Sequence, residues 1–191
     1  PSPLITQWQD ELWDMLTMPS ARWTGKQWID EQGVTYPELG PAGLRKCPRR
    51  IGIVSTGLII RGSEGVNYLK DLDYECVVLD EAHRARRSNI GSTHRQEKPE
   101  PNNLLRFLME IAPRAKSLLL ATATPVQLDP IEAWDLLNVL NSGKDFVLGS
   151  PYSRWRTRPL EGLDLVLGRV DSPRETNELW EWMRDPLPPS S

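Results

Sequence analysis

The sequence predicts an α/β protein in which a parallel β-sheet is flanked by helices. Three short apolar runs, at residues 51–54, 76–79 and 118–121, show no alternation of polar and apolar residues. Runs of this kind are typical of strands that are buried on both faces, as in parallel sheets covered by helices. A helical pattern over residues 102–112 separates the second run from the third. This order of strand, helix and strand indicates a crossover connection between parallel strands.

Length and composition restrict the class of protein further. The chain has 191 residues, of which 39% are hydrophobic and 26% charged, so it can form one full core and is neither disordered nor collagen-like. No apolar run approaches the roughly 18 residues of a membrane span. Two cysteines, Cys47 and Cys76, indicate a reducing compartment. The net charge of −3 means that any contact with nucleic acid must come from local basic patches.

The first part of the chain contains one clear helix. Apolar residues between positions 4 and 16 recur at spacings of three and four, which predicts one face of an amphipathic helix; they are Leu4, Ile5, Trp8, Leu12, Met15 and Leu16. The next stretch predicts a short strand followed by a helix at Lys26 to Glu31. Residues 33–50 contain three prolines and three glycines, which predicts a loop.

The second part predicts three further helices and a long loop. The helix over residues 102–112 should end at Pro113, since proline cannot continue a helix. Asp129-Pro130 and Ser172-Pro173 each combine a capping side chain with proline at the first helical position, and each begins a predicted helix. Residues 84–101 are polar, and a loop of that length is usually functional or mobile. Trp180 and Trp182 are predicted to be surface docking residues.

Polar side chains follow each of the three predicted strands. Ser55-Thr56 follows the first, Asp80-Glu81-Ala82-His83 the second and Thr122-Ala123-Thr124-Pro125 the third. Ligands of open parallel sheets bind beyond the carboxyl ends of the strands. An acidic pair at such a position suits hydrated Mg²⁺, and a second carboxylate can orient or deprotonate a water. The alternative is structural, because Asp and Glu after a strand often only cap the next helix.

These segments together resemble a family of motor proteins. Asp80-Glu81-Ala82-His83 resembles motif II, the Walker B box, of superfamily-two helicases, and residues 122–127 (Thr-Ala-Thr-Pro-Val-Gln) resemble their motif III. Residues 3–12, with Gln7-Trp8 followed by Glu11-Leu12, look like motif Ia of the Swi/Snf branch, and residues 51–58 stand where that branch has motif Ib. Residues 152–156 are most similar to bacterial members that recycle RNA polymerase.

The resemblance implies a RecA-like fold of the P-loop NTPase type. Residues 1–144 would form an incomplete first lobe, and residues 145–191 a helical C-terminal extension toward an insertion or a second lobe. The chain starts with Pro1 rather than Met, and we expect it to be part of a longer protein. The second lobe of the family, with its arginine finger, has no counterpart in this sequence.

The resemblance also implies roles for individual residues. Asp80 would hold the Mg²⁺ of Mg-ATP through water, and Glu81 would position or activate the hydrolytic water. His83 would couple the nucleotide site to motif III, through Thr122, Thr124 and Gln127. This chain departs from the family at Leu128, where asparagine is usual. Three residues lie in boxes that contact the nucleic-acid backbone or support such contacts: Gln7, Trp8 and Thr56.

A phosphate-binding loop is missing from the sequence. Such a loop has the form G-x-x-x-x-G-K-[ST] and cradles the phosphates during phosphoryl transfer. The two Gly-Lys pairs, Gly25-Lys26 and Gly143-Lys144, are followed by Gln27 and Asp145, so neither fits. Because lost positioning groups usually cost orders of magnitude in rate, we expect no measurable ATP turnover by this chain alone.

Arginine and lysine residues occur in three clusters. They are Arg45, Lys46, Arg49 and Arg50; Arg84, Arg86, Arg87 and Arg95; and Arg154, Arg156 and Arg158. One interpretation is a solvated loop for each cluster. The other is contact with the phosphate backbone of a nucleic acid, which we assign above all to Arg84, Arg86 and Arg87. Because the second cluster directly follows the acidic pair, it could instead serve the nucleotide.

The leading hypothesis is therefore a fragment of a DNA-dependent ATPase of the Swi/Snf type. ATP and Mg²⁺ would be its cofactors, and duplex DNA, the missing phosphate loop segment, the second lobe and RNA polymerase or another protein its partners, in the bacterial cytoplasm at the nucleoid. The first alternative is a non-catalytic module that uses the same scaffold to bind DNA or protein. The second is a fragment of an RNA helicase, because the acidic box is shared with that class.

Overall fold

A computed structural model describes residues 2–37, 39–89, 99–126 and 129–184 of the chain. These residues form two compact units, one ending at Asp73 and the other starting at Tyr74. Each unit combines helices with short strands, so the protein is a mixed α/β protein, as the sequence predicted. In the part of the chain that is described, no helix is both long enough and apolar enough to cross a membrane.

The first unit is built on a three-stranded mixed sheet. Strand β1 pairs with β2 in antiparallel and with β3 in parallel orientation. The elements in chain order are α1 (Ser2–Leu16), β1 (Ser20–Trp23), β2 (Trp28–Asp30), a 3-10 helix (Gly40–Lys46), β3 (Ile51–Ile53), α2 (Thr56–Ile60) and α3 (Gly65–Lys70).

The second unit contains a two-stranded parallel sheet, β4–β7, and an antiparallel pair, β5–β6. Its strands are β4 (Tyr74–Leu79), β5 (Arg87–Ser88), β6 (Glu100–Pro101) and β7 (Ala115–Leu120). Its α-helices are α4 (Asn103–Ile111), α5 (Ile131–Leu140), α6 (Arg154–Thr157), α7 (Pro159–Val166) and α8 (Thr176–Arg184). Two short 3-10 helices cover Ala82–Arg84 and Ala112–Arg114.

The predicted crossover between the second and third strands is confirmed. Strands β4 and β7 are parallel neighbours, with Val77 opposite Leu118, and α4 lies between them along the chain. The side chain of Asn102 caps α4 by accepting a hydrogen bond of 2.9 Å from the Leu105 amide. One apolar face of α4 is buried and contributes to the core: Leu104, Leu105, Leu108 and Ile111.

The predicted burial of these strands on both faces is wrong. Val78 and Leu119 lie opposite each other on one face, and they are 53% and 57% exposed. On the other face Leu79 is buried. The first predicted strand, β3, also does not join β4 and β7 but pairs with β1 of the first unit. The apolar runs were therefore a correct signal for strands, but they did not specify which strands pair or which faces are covered.

The short strand predicted at the start of residues 20–31 is confirmed as β1, but the helix predicted at Lys26 to Glu31 is wrong, because β1 and β2 form a β-hairpin. The Thr24 amide donates to the Gln27 carbonyl at 3.0 Å, and Gly25 adopts a φ of 104°, which a side chain would disfavour. The rings of Trp23 and Trp28 meet edge to face with centroids 5.2 Å apart, and both side chains are buried. The 3-10 helix at Gly40–Lys46 lies within the stretch that was predicted to be a loop.

Helix α1 forms where the periodicity predicted it, but its buried position is polar. Gln9 is 4% exposed, and its amide nitrogen donates to the carbonyls of Ser20 and Ile29 at 3.0 and 3.1 Å. By contrast, Met15 and Leu16 of the predicted apolar face are 78% and 59% exposed. Two hydrogen bonds to strand backbones, one buried and one partly buried, thus orient this helix differently from its hydrophobic pattern.

The C-terminal region is helical, as expected for the predicted extension, but the sequence pattern located only its last helix. Helices α6 and α7 were not predicted, and α8 starts at Thr176 rather than directly after Ser172. Trp182 is buried at 6% exposure, which corrects its assignment as a surface docking residue, whereas Trp180 is 56% exposed. The Trp182 ring packs edge to face on Trp155, whose indole nitrogen donates to the Trp182 carbonyl at 2.8 Å.

Candidate functional site

The segments that follow β4 and β7 lie side by side at one edge of the second unit. Beyond the strands, the Ala121 amide donates to the Leu79 carbonyl and the Ala82 amide donates to the Ala121 carbonyl, both at 2.9 Å. These two hydrogen bonds continue the parallel pairing past the strand ends. The acidic box and the start of the Thr122 turn are therefore adjacent, as the strand order predicted.

The acidic box makes a tight turn that is centred on Glu81. Glu81 has φ 54° and ψ 47°, a left-handed conformation that costs a residue with a side chain about 1–2 kcal/mol. A carboxylate oxygen of Asp80 accepts the Glu81 amide at 2.9 Å, and Ala82, directly after the turn, is fully buried. Both acidic side chains are exposed. The turn thus directs two carboxylates outward from a buried anchor.

His83 joins the two segments. Its Nδ1 lies 3.1 Å from Oγ1 of Thr122 and 3.1 Å from Oε2 of Glu81. Thr122 Oγ1 also accepts the Thr124 amide at 3.2 Å. Nδ1 carries at most one proton, so its role depends on the tautomer of the ring. With a proton, Nδ1 donates to Glu81 or to Thr122; without one, it accepts from the Thr122 hydroxyl. Gln127, the other predicted partner in this turn, and Leu128 lie outside the described residues.

Two arginines that follow the box are directed toward carboxylates of α5. Arg87 donates from Nε and Nη2 to the two oxygens of Asp135, both at 2.8 Å, and the Asp135 side chain is completely buried. Hydrogen bonding to Asp135 raises the pKa of the Arg87 guanidinium above its ordinary value. Arg86 Nη1 lies 4.0 Å from Glu132, which is also buried and one turn earlier on α5. Arg84 is exposed.

Sequence reasoning missed Glu132 and Asp135 as partners of these arginines. The available signal was that two acidic residues, three positions apart, interrupt a helix face that is otherwise apolar and buried. Buried carboxylates need a partner, and the nearby run of arginines is the natural source of one.

Three predicted nucleic-acid residues belong to the first unit. Gln7 is exposed and donates to Glu11 Oε1 at 2.9 Å, within its own helix. Trp8 is 38% exposed. Thr56 is the first residue of α2, which is capped by the Ser55 hydroxyl. The structure describes these residues within their own unit, and their role in binding nucleic acid stays a prediction.

Arginines of the other two basic clusters have acidic partners. Arg49 donates to Asp30 at 2.8 Å and to Glu31 at 2.9 Å, and Arg45 pairs with Asp71. In the C-terminal cluster the acidic partners are Glu178 and Glu181 for Arg154, Asp145 for Arg156 and Glu161 for Arg158. These ion pairs give the arginines a structural use that the sequence did not reveal.

Neither Gly-Lys pair has the geometry of a phosphate loop. Gly25-Lys26 lies in the turn between the antiparallel strands β1 and β2, and Gly143-Lys144 lies in a turn after α5. A phosphate loop instead connects a strand to the N-terminus of a helix. Within the described ranges there is also no group of three or more His, Cys, Asp or Glu side chains that could hold a metal ion.

Comparisons of the chain with protein-family models, with curated proteins and with solved structures found no match. The resemblance to Swi/Snf helicases therefore depends on the short motifs and on the strand order around them.

Proposed function

We propose that this chain is part of the first RecA-like lobe of a DNA-stimulated ATPase of the Swi/Snf helicase type. The observation that carries the proposal is the contact of His83 Nδ1 with both Glu81 and Thr122, at 3.1 Å each, across the ends of two parallel strands. This contact links the acidic box to the following threonine turn. Such a link is what an ATPase needs in order to communicate between its nucleotide and a second surface.

The acidic box fits a hydrated magnesium ion better than a directly ligated one. Mg²⁺ keeps several waters and takes one or two carboxylates together with substrate phosphate oxygens. Asp80 and Glu81 supply two exposed carboxylates, and the described residues contain no larger group of ligands. When bound, Mg-ATP would supply the phosphoryl group and the charge that neutralises its oxygens. Asp80 would hold the ion through water.

Glu81 would act as the general base or the group that orients the attacking water. Its side chain is 54% exposed, and its contact with His83 constrains one of its oxygens. His83 in turn reaches Thr122, whose hydroxyl oxygen accepts the Thr124 amide. A change at Glu81 would therefore reach the Thr122 turn through one side chain. Gln127 would extend this coupling.

In this proposal duplex DNA contacts the other predicted residues. The residues are Gln7, Trp8, Thr56, Arg84, Arg86 and Arg87, of which Arg87 also pairs with Asp135. The whole protein would work in the bacterial cytoplasm, at the nucleoid, with RNA polymerase or another protein as a partner.

One observation favours a second candidate, a non-catalytic module that binds DNA or protein. The two Gly-Lys pairs lie in turns that do not suit phosphate, so this chain offers no lysine loop for the nucleotide. A fragment of an RNA helicase is a third candidate that shares the acidic box.

The test joins this chain to an upstream segment that carries a lysine loop and to a second lobe, and measures phosphate release. We expect hydrolysis that duplex DNA stimulates more than single strands or RNA do, and that Glu81→Gln abolishes. Glu75→Gln is the matched control, since Glu75 is an exposed carboxylate that pairs with Lys116 on the surface of the same sheet. Inactivity of the joined protein would support the binding module, and preferential stimulation by RNA would support the RNA helicase.

A further inference from the structure

Asn102 forms hydrogen bonds with the segment that directly follows the turn of the acidic box. The Asn102 side-chain nitrogen donates to the Arg84 carbonyl at 2.8 Å, and its backbone amide donates to the Arg86 carbonyl at 2.9 Å. Its side-chain oxygen simultaneously accepts the Leu105 amide and caps α4. One residue thus connects the start of the crossover helix to the segment that leaves the acidic box.

The same segment is held at its far end by Arg87. Arg87 forms the double hydrogen bond with Asp135, whose side chain is completely buried, and Ser88 continues into the short pairing with β6. A buried carboxylate that accepts two charged hydrogen bonds fixes the backbone that carries its partner, because separating them would leave an unpaired buried charge. The segment therefore has little freedom at either Arg84 or Arg87.

The turn needs such support because its backbone is unfavourable. Glu81 occupies the left-handed region, and residues in that region persist only where the surrounding structure imposes the conformation. The next local hydrogen bonds, from the Arg84 amide to the Glu81 carbonyl and from the Ala85 amide to the Ala82 carbonyl, each span only three residues. A movement of this segment away from α4 would break the hydrogen bond from Asn102 to the Arg84 carbonyl.

We propose that Asn102 and Arg87 are positioning residues that hold the acidic-box turn in the conformation where Glu81 and His83 meet Thr122. The consequence for ATP hydrolysis depends on the proposed function, whereas the positioning itself does not. In this role Arg87 acts through its buried partner Asp135.

Asn102→Asp separates the two tasks of Asn102. Aspartate caps helices as well as asparagine does, so the bond to Leu105 is retained. It cannot donate to the Arg84 carbonyl and places an oxygen against it instead. Asn141→Asp is the comparison variant, because the Asn141 side chain likewise accepts from backbone amides, those of Val147 and Leu148, and donates to the Gly149 carbonyl at 3.1 Å. It makes the same chemical change in the turn after α5.

The experiment measures amide hydrogen exchange of the 191-residue chain, with the thermal midpoint as a second readout. We expect Asn102→Asp to lower the melting temperature by about 2–4 °C, as a loss near 1 kcal/mol does in a chain of this size. Asn141→Asp should lower it by more, because Asn141 is 1% exposed and the change buries a carboxylate. Only Asn102→Asp should accelerate exchange at residues 80–86, by about 5- to 30-fold. Equal exchange of this segment in the two variants would overturn the proposal.

A second variant and a kinetic measurement test the same proposal. If Asn102→Asp does not fold, Arg87→Lys replaces it, since lysine keeps the charge but loses the forked geometry, and the same acceleration is expected. In the joined protein, Asn102→Asp should lower kcat by about 10- to 100-fold with little change in the KM for ATP. An unchanged kcat in an active joined protein would contradict positioning. A joined wild-type protein without activity would count against the proposed function alone, because hydrogen exchange still decides this inference.

Discussion

Each unit of the protein contains an arginine that pairs with a buried carboxylate, and the two pairs differ in how far apart their members lie along the chain. Arg49 pairs with Asp30, 19 residues away, and Arg87 pairs with Asp135, 48 residues away. The side chains of Asp30 and Asp135 are 1% and 0% exposed. The two aspartates are thus buried alike, but Arg49 also pairs with Glu31, whose side chain is 2% exposed.

The partners of the two carboxylates are different. Asp30 accepts hydrogen bonds from the backbone amides of Gln32 and Val34 and from the Tyr36 hydroxyl, in addition to Arg49. Both oxygens of Asp135 accept from Arg87. Asp30 therefore organises its own turn and would keep several donors without its arginine. Asp135 depends on Arg87, which precedes α4 in the chain, whereas Asp135 lies on α5 after β7. This pair therefore connects two segments that are distant in the sequence.

The largest expected effect is that of removing Arg87. Arg87→Ala leaves a buried, uncompensated carboxylate at Asp135 and should lower the free energy of unfolding by about 3 kcal/mol, the low end for a broken buried pair because the guanidinium is partly exposed. Arg49→Ala should cost less, because Asp30 keeps three other donors and Glu31 keeps hydrogen bonds from the backbone of Ser20 and of Glu31 itself. Urea denaturation of both variants measures the difference, and equal losses would refute this distinction between local and long-range pairs.

The local cluster also has a pH dependence of predictable sign. The hydrogen bond from Arg49 lowers the pKa of Glu31 below its usual range. A carboxyl group whose pKa is lower in the folded state stabilises the protein fully above its unfolded pKa, about 4.3, and loses that contribution as the pH falls through the folded value. We expect Glu31→Gln to flatten the fall of the urea midpoint below about pH 4.3. The same slope in the variant and the wild type would show that this pair does not contribute.

The smallest effect is expected at an ion pair on the surface. Arg158 and Glu161 are three residues apart, and their side chains are 59% and 58% exposed. Arg158→Ala should change the free energy of unfolding by less than about 0.5 kcal/mol, and salt should reduce even that. A loss comparable to that of Arg87→Ala would mean that exposure is a poor guide to the strength of ion pairs in this protein.

Local features of the chain were predicted well where one signal dominated. The continuous apolar runs located β3, β4 and β7 to within a few residues, and the spacing of leucines located α4. The position of the acidic box beside the Thr122 turn followed from strand order alone, since parallel neighbours end at the same edge. The proposed chemistry of Asp80 and Glu81 stays a prediction.

Features that depend on distant partners were not predicted. The pattern of α1 suggested burial of its apolar residues, but Gln9 is buried because two strand carbonyls accept its amide. Trp182 was predicted to be a docking residue, but it packs on Trp155, which lies 27 positions earlier in the chain. The residues at 20–31 have mixed propensities for helix and strand. The turn at Gly25 allows β1 and β2 to pair as a hairpin.

The order of residues along the chain was enough to place two carboxylates, a histidine and a threonine turn at neighbouring strand ends, because strand direction and crossover connection constrain where strands finish. It was not enough to reveal that Asn102, Arg87 and Asp135 brace that turn. Hydrogen bonds between residues 18 to 48 positions apart leave no periodicity in the sequence, so only the folded arrangement brings their donors to their acceptors.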